Sequence, residues 1–371
     1  MKVLYITNCP APYRVSFFNE LTRYCELTVA FEMGKAKNRE EKWKSDEEYK
    51  FNSIFLKSWF CRQESAFCPE IIKYIKLFQN DIIVVGGYST PTGMLGILYM
   101  KAHGISYILN CDGGMIKNDS RMKYNIKRFF ISKASAWLST GVSCDHYLVH
   151  YGADKEYIYY YPFSSIKQKD IGKKNLQERL EIRRSLEIKE NKIILFVGSF
   201  IHRKGIDILI KACANMEDVA LVLIGGDNIS NLWLDEQADL KCRIYMEGFK
   251  TEAEVKKYYQ VADLFVLPTR EDIWGLVINE SMAAGLPVIT TDKCGAGLEL
   301  IKNGVNGYII QSEDFVLLKE KIETILKDDF IAKNMSGENI NLMRFYTIEE
   351  MAKKHYDIFR IIENKDRIYK S

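Results

Sequence analysis

No two aspartates lie two positions apart in the 371-residue sequence, no G-x-G-x-x-G follows its first apolar run, and no Walker A sequence occurs. The first absence removes the usual D-x-D metal clamp. The other two argue against nicotinamide, flavin and P-loop chemistry. Five histidines (His103, His146, His150, His202, His355) show no zinc spacing, so no metal ligand is assigned and chemistry without metal is expected. Nine cysteines are odd in number and carry no C-x-x-C pair, which excludes a disulfide framework and reads as reduced, structural thiols of the cytosol. Proline is scarce at 7 residues and no repeat or low-complexity stretch appears, so a folded chain throughout is expected.

Charge of one sign is also missing. The net charge of +3 is too mild for a dedicated nucleic-acid binder. Residues 1–165 carry 21 basic against 16 acidic residues, and the remainder 31 against 33, so the first half suits an acidic partner such as a lipid surface or a phosphorylated acceptor. The opening MKVLYITNCPAP is too short and punctuated an apolar run for a signal peptide. Ile82–Met100 is uncharged over a membrane-spanning length, but Gly86, Gly87, Ser89, Pro91 and Gly93 interrupt it. Strand, glycine-rich turn and helix is the reading, with no transmembrane segment.

What is present is an alternation of strand and helix patterns. In the second half β-rich runs recur at Ile193–Gly198, Val219–Ile224, Arg243–Met246, Leu264–Pro268, Pro287–Thr291 and Gly307–Ile310. Their spacing is that of βα units in a parallel sheet. Thr251 and Glu254 form a capping box, and Gly285 suits a helix C-cap. The first half alternates less cleanly: Val3–Thr7, Leu27–Phe31, Asp81–Val85, Ile105–Leu109 and Ala136–Ser139, closed by Tyr157–Phe163. The fold class expected is α/β, with two Rossmann-like domains at 1–165 and 166–347. Ser164–Asn175 links them, and a last helix (348–371) crosses back to the first. Such domains bind ligands at the carboxyl ends of their strands, and two facing each other would hold one in the cleft between.

Two segments carry chemistry. In Phe196–Ala212, Arg203 and Lys204 stand at a strand's exit beside Gly205, where a diphosphate would find positive charge and helix N–H donors. A solvated basic turn would look the same. In Leu267–Thr290, a strand ends in Arg270, Glu271 and Asp272. Trp274, Gly275, Leu276 and Val277 then open a helix carrying Glu280. One carboxylate is on the loop and one within the helix, with the free N–H groups between them. Helix-dipole preference alone accounts for the two loop acids, but less well for Gly275 and Glu280.

These motifs resemble the family 4 glycosyltransferases, retaining enzymes of the GT-B class, most strongly over Phe196–Ile310. The resemblance implies that Asp272 and Glu280 stand at the two positions of the E-x7-E motif. Asp272 would then contact donor-sugar hydroxyls and Glu280 the ribose. It implies backbone N–H groups of Trp274, Gly275, Leu276 and Val277 on sugar and diphosphate, and Lys204 as the lysine of the K-G phosphate motif. The sequence departs from the family in three ways. Ser199 replaces an arginine, with Arg203 as a substitute. Asp272 replaces a glutamate. Asn110-Cys111-Asp112 stands where a histidine is usual, so Asp112 is either its catalytic substitute or part of an Asp-Gly turn. Arg14, after the first strand, is a phosphate or acceptor contact or a surface arginine, and Gly86–Gly93 an acceptor-side loop.

Residues 117–133 hold six basic residues against one acidic, interleaved with Met122, Tyr124, Ile126, Phe129, Phe130 and Ile131. Such a helix lies on anionic lipid or turns an apolar stripe to the core. The expected protein is a metal-independent retaining enzyme, cytoplasmic and peripheral on the inner face of the membrane. It moves a hexose-type sugar from a nucleoside-diphosphate sugar, its donor and not a cofactor, to a saccharide or lipid-linked acceptor of bacterial surface polysaccharide. A nucleotide-sugar epimerase and a non-catalytic subunit are the rivals.

Overall fold

Apolar runs rich in Val, Ile and Leu form the central strands Lys2–Thr7, Ile82–Val85, Lys192–Val197, Val219–Ile224 and Leu264–Leu267, as expected where both sheet faces are covered. The computed structural model describes residues 1–34, 47–61, 65–172, 175–226 and 241–370, with side chains through residue 364. Residues 173 and 174 of the expected linker lie outside the described residues. By compactness the chain divides into one unit of residues 1–165 with the segment from Thr347 onward, and a second of residues 166–346.

The first unit opens with β1 (Lys2–Thr7), α1 (Pro12–Leu21), β2 (Glu26–Phe31) and β3 (Asn52–Phe55). A small antiparallel hairpin of β4 (Phe60–Cys61) and β5 (Ala66–Phe67) precedes α2 (Ile71–Leu77) and β6 (Ile82–Val85). Then come α3 (Pro91–Ala102), β7 (Ile108–Cys111), α4 (Arg121–Ile131), β8 (Ala136–Ser139), α5 (Val142–His150) and β9 (Ile158–Tyr160). The uncharged stretch 82–100 is thus strand, turn and helix, and among the described residues no helix is long and apolar enough to cross a membrane. Thr90 caps α3 by accepting from the Gly93 N–H at 3.0 Å, and Pro91 occupies the first helical turn. The sheet order is β3-β2-β1-β6-β7-β8-β9, parallel throughout. The strand expected at Ile105–Leu109 begins three residues later, and β3 was not expected at all.

The second unit runs α6 (Leu176–Ser185), β10 (Lys192–Val197), α7 (Ile206–Cys213), β11 (Val219–Ile224), β12 (Arg243–Glu247), α8 (Glu252–Val261) and β13 (Leu264–Leu267). It continues with α9 (Leu276–Ala283), β14 (Val288–Thr291), α10 (Gly295–Leu300), β15 (Gly307–Ile310), α11 (Phe315–Lys327) and α12 (Asp329–Met343). Its sheet is also parallel, ordered β12-β11-β10-β13-β14-β15. The Thr251–Glu254 capping box forms at the start of α8. Gly285 follows α9 in the left-handed conformation, with φ 71°. The final helix, α13 (Ile348–Lys370), packs on α1 and completes the first unit. Both units are α/β and Rossmann-like.

Candidate functional site

In the second unit the strand order reverses between β10 and β13, the point beside which sheets of this doubly wound kind hold their ligands. After β10 the chain makes a single 3-10 turn, His202–Lys204, and Gly205 follows with φ 70°. A Cβ on Gly205 would lie 2.0 Å from the Pro268 carbonyl oxygen, so only glycine lets the two loops lie this close. That approach brings Lys204 Nζ to 2.5 Å from Asp272 Oδ2, with the side chains 13% and 15% exposed.

Gly275, φ 96°, begins α9 without any side-chain cap. The first-turn N–H groups, at Leu276 and Val277, therefore have no acceptor within the helix. A Cβ on Gly275 would stand 3.1 Å from Cys294 Sγ and 3.4 Å from Asp272 Oδ2, so this close packing also favours glycine. The Trp274 ring is buried and its Nε1 donates to Asn279 Oδ1 at 2.9 Å. Only its backbone belongs to the site. Arg203 donates to the Glu271 carbonyl, while its own carbonyl accepts from the Arg270 N–H at 2.8 Å and the Thr269 hydroxyl at 2.9 Å. Glu280 Oε2 accepts from the Tyr259 hydroxyl at 3.0 Å. Burial first, then the Glu280 charge, holds the Tyr259 hydroxyl well above the usual range. The second unit thus brings a cation, a carboxylate and an uncapped helix start to one loop pair, with Glu280 further along the same helix and held by Tyr259.

In the first unit Asp112 follows β7. Its Oδ1 accepts from Asn110 Nδ2 and the Tyr161 hydroxyl, each at 2.7 Å, and its Oδ2 pairs with Arg14. Arg14 is a residue of α1 rather than of the preceding loop. It is buried, and it also donates to the Tyr5 hydroxyl at 3.4 Å. Burial lowers its pKa, but Asp112 and the surrounding tyrosines outweigh that and raise it well above the ordinary value. Arg14 is therefore the internal counter-ion of Asp112, and its burial corrects the alternative of a surface arginine. His355 of α13 lies beside Phe17 and Tyr161 at ring-centroid distances of 4.7 and 4.5 Å. Burial pushes it down to about 4. Glu32, just past β2, accepts from the Thr90 hydroxyl at 2.6 Å and the Ala66 N–H at 3.2 Å, and burial pushes it up to about 7.

The apolar residues of the basic segment divide between two faces of α4. Phe130 and Ile131 are buried and Tyr124 packs on His150 and Tyr151, so these three belong to the interior. Met122, Ile126 and Phe129 are 72%, 46% and 47% exposed, at the i, i+4, i+7 spacing of one helical stripe. Asp119 pairs with Lys123 and Lys127 at 3.2 and 2.7 Å, and these hydrogen bonds, with that of Tyr151, hold its carboxyl below the usual range.

Among the described residues no group of three or more His, Cys, Asp or Glu side chains could hold a metal ion, and eight cysteines are buried free thiols. Sequence reasoning missed Tyr259, Tyr161 and Arg270. Tyr259 and Tyr161 reach Glu280 and Asp112 across 21 and 49 residues, with no local pattern to mark them.

Residues 178–341, wholly within the second unit and less than half the chain, match the family model Glycosyl transferases group 1. Over 195 residues the chain is 28% identical to an uncharacterized glycosyltransferase of Methanocaldococcus jannaschii, spanning 50% of this chain and 49% of that one. Over 163 residues it is 28% identical to the capsular polysaccharide biosynthesis glycosyltransferase CapM of Staphylococcus aureus, 41% of each chain. The chain spans about half the length of the curated relatives it matches. Among solved structures, Anabaena HepE in complex with UDP-glucose superposes with a TM-score of 0.71 at 16% identity, over 100% of this chain and 99% of that one. At that identity the likeness establishes the fold, which is of the GT-B type.

Proposed function

We propose that this protein is a retaining, metal-independent glycosyltransferase of family 4 type, moving a hexose-type sugar from a nucleoside-diphosphate sugar to a saccharide or lipid-linked acceptor. The observation that carries the reading is the Lys204–Asp272 pair beside the uncapped start of α9, at the reversal point of the second sheet. A leaving diphosphate needs donors and positive charge where its own charge develops. Lys204, Arg203 and the Leu276 and Val277 N–H groups supply them. In this reading Asp272, which neutralises Lys204, turns to hydroxyls of the donor sugar, and Glu280 anchors the ribose with Tyr259 holding its carboxylate. The metal-independent reading rests on the missing D-x-D and on these cations. Asp112, fixed by Arg14, Asn110 and Tyr161, accepts a hydrogen bond from donor or acceptor in place of the family's histidine.

The outward stripe of α4, flanked by Arg121, Lys123 and Arg128, fits an anionic lipid surface. A cytoplasmic protein seated on the inner membrane face, serving surface polysaccharide synthesis, follows from that stripe and from the likeness to CapM. Flotation with anionic vesicles tests this part. Binding lost in Phe129→Ser supports it, and no flotation of the native protein removes it.

For the donor, thermal shift and slow release of nucleoside diphosphate from a panel of nucleotide sugars, without added metal, are decisive. One donor should raise the melting temperature and be hydrolysed. Glu280→Ala should weaken that donor about tenfold, since buried hydroxyls left unpaired cost about 1–3 kcal/mol. A folded protein that no nucleotide stabilises overturns the reading in favour of a non-catalytic subunit.

A further inference from the structure

We propose that Arg270 is the positioning residue of the diphosphate site: it clamps the loop after β10 so that Lys204 and Arg203 are held where a diphosphate meets them. The inference rests on the donor reading above and concerns a residue to which that reading gives no part.

Arginine has five N–H donors, and in Arg270 every one is engaged. Nε donates to Glu313 Oε1, and Nη2 to Glu313 Oε2 at 3.1 Å and to Asp207 Oδ2 at 2.7 Å. Nη1 donates to Asp207 Oδ1 at 2.8 Å and to the His202 carbonyl at 2.6 Å. The backbone N–H of the same residue donates to the Arg203 carbonyl at 2.8 Å. One side chain therefore ties three loops at the carboxyl edge of the sheet: those after β10, β13 and β15. With its donors filled, Arg270 has none left for a phosphate. Its role is to place Arg203 and Lys204, which lie between its attachments at His202 on the first loop and at Asp207 in the first turn of α7.

Two further observations mark the clamp as built. Glu313 holds φ 73°, a left-handed conformation that non-glycine residues seldom adopt, and from there its carboxylate meets the guanidinium side-on. Asp207, in the first turn of α7, is lifted by burial, yet its hydrogen bonds and proximity to Arg270 more than reverse this and lower it below the usual range. Charge gives the clamp a second consequence. Without Arg270, two carboxylates stand unneutralised beside the cations that are to receive a diphosphate.

Nucleotide binding in parts tests this. The native protein, Arg270→Lys, Arg270→Gln and Asp207→Asn are titrated with UDP, GDP, ADP and CDP, and then with the nucleoside matching the best diphosphate. Melting temperature and circular dichroism are recorded alongside. Arg270→Lys keeps the charge but loses the fork, and should weaken the diphosphate about tenfold while the nucleoside changes less than twofold. Arg270→Gln should weaken the diphosphate further. Asp207→Asn, which keeps the arginine, should weaken it several-fold and carries the test if the Arg270 variants fail to fold. Equal weakening of diphosphate and nucleoside, or no weakening of either, overturns the clamp and leaves the donor reading standing. A native protein that binds none of the four diphosphates overturns both.

Discussion

The two units share a plan, a parallel sheet whose strand order reverses beside its first strand, yet they place their charged groups differently at its carboxyl edge. In the second, Lys204 and Asp272, 13% and 15% exposed, pair between two glycines with left-handed φ, next to an open helix end. In the first, a buried Arg14 pairs with the 28% exposed Asp112, which Tyr161 and Asn110 also hold, and the outward face of α4 is apolar and basic. The reversal point thus locates a ligand edge without deciding its chemistry. A ribose and a diphosphate impose the same demands on any donor site, and those demands appear as local motifs. Acceptors share no such constant part, which fits a family match confined to the second unit.

The contrast can be broken most forcefully at Asp112. Asp112→Ala leaves the Arg14 guanidinium buried without its counter-ion, a change worth about 3–5 kcal/mol. Hydrogen exchange should show β1, α1 and α13 losing protection while β10 and β13 keep theirs. Protection lost equally in both would deny that the pair serves the first unit alone.

A second test uses two buried groups of the first unit with opposite pH behaviour. Glu32 is pushed up from 4.5 to about 7, so across that window the folded protein keeps a proton that the unfolded chain has released, and stability falls as pH rises. His355 is pushed down from 6.5 to about 4, so there the unfolded chain holds the extra proton and stability rises with pH. The slopes oppose each other where the windows overlap. Glu32→Gln should leave a rise, and His355→Leu a fall, each on the order of 2–3 kcal/mol over its window in urea unfolding. Slopes of one sign in both variants would sink the assignment.

Gly205→Ala, expected to cost about 1–3 kcal/mol through a left-handed alanine pressed on Pro268, should lower the melting temperature of the second unit and abolish nucleotide binding. Normal binding would mean that the loops need not lie so close. The smallest effect belongs to Tyr259→Phe. It removes one hydrogen bond to Glu280 and should weaken the donor by about 0.5–1.5 kcal/mol in titration calorimetry.

Legibility in the sequence follows the same divide. The central strands of the second sheet are largely apolar runs, such as the buried Val219–Ile224, and the limits observed for its strands lie within a residue of those read from the pattern. β3, NSIF at the sheet edge, is only half covered and has no such run to betray it. Lys204, Asp272 and Gly275 were legible because strand ends and helix starts are local events. Arg270 was visible only as one charge among three. Its partners are 63 and 43 residues away, and nothing in a local pattern pairs them. The split of the α4 apolar residues between two faces was likewise set by Tyr151 and the neighbouring interior, not by the helix's own composition.

The return of α13 to α1 has a consequence for how the protein is made. Residues 1–165 leave the ribosome before the second unit, but the aromatic floor of Phe17 and Tyr161 receives His355 only after the whole second unit has been synthesised. At the usual 5–20 residues per second, that delay is about 10–40 s. The second unit, continuous in sequence, can fold during it. The nascent first unit waits through that interval with an apolar seat uncovered, the kind of surface on which folding intermediates aggregate.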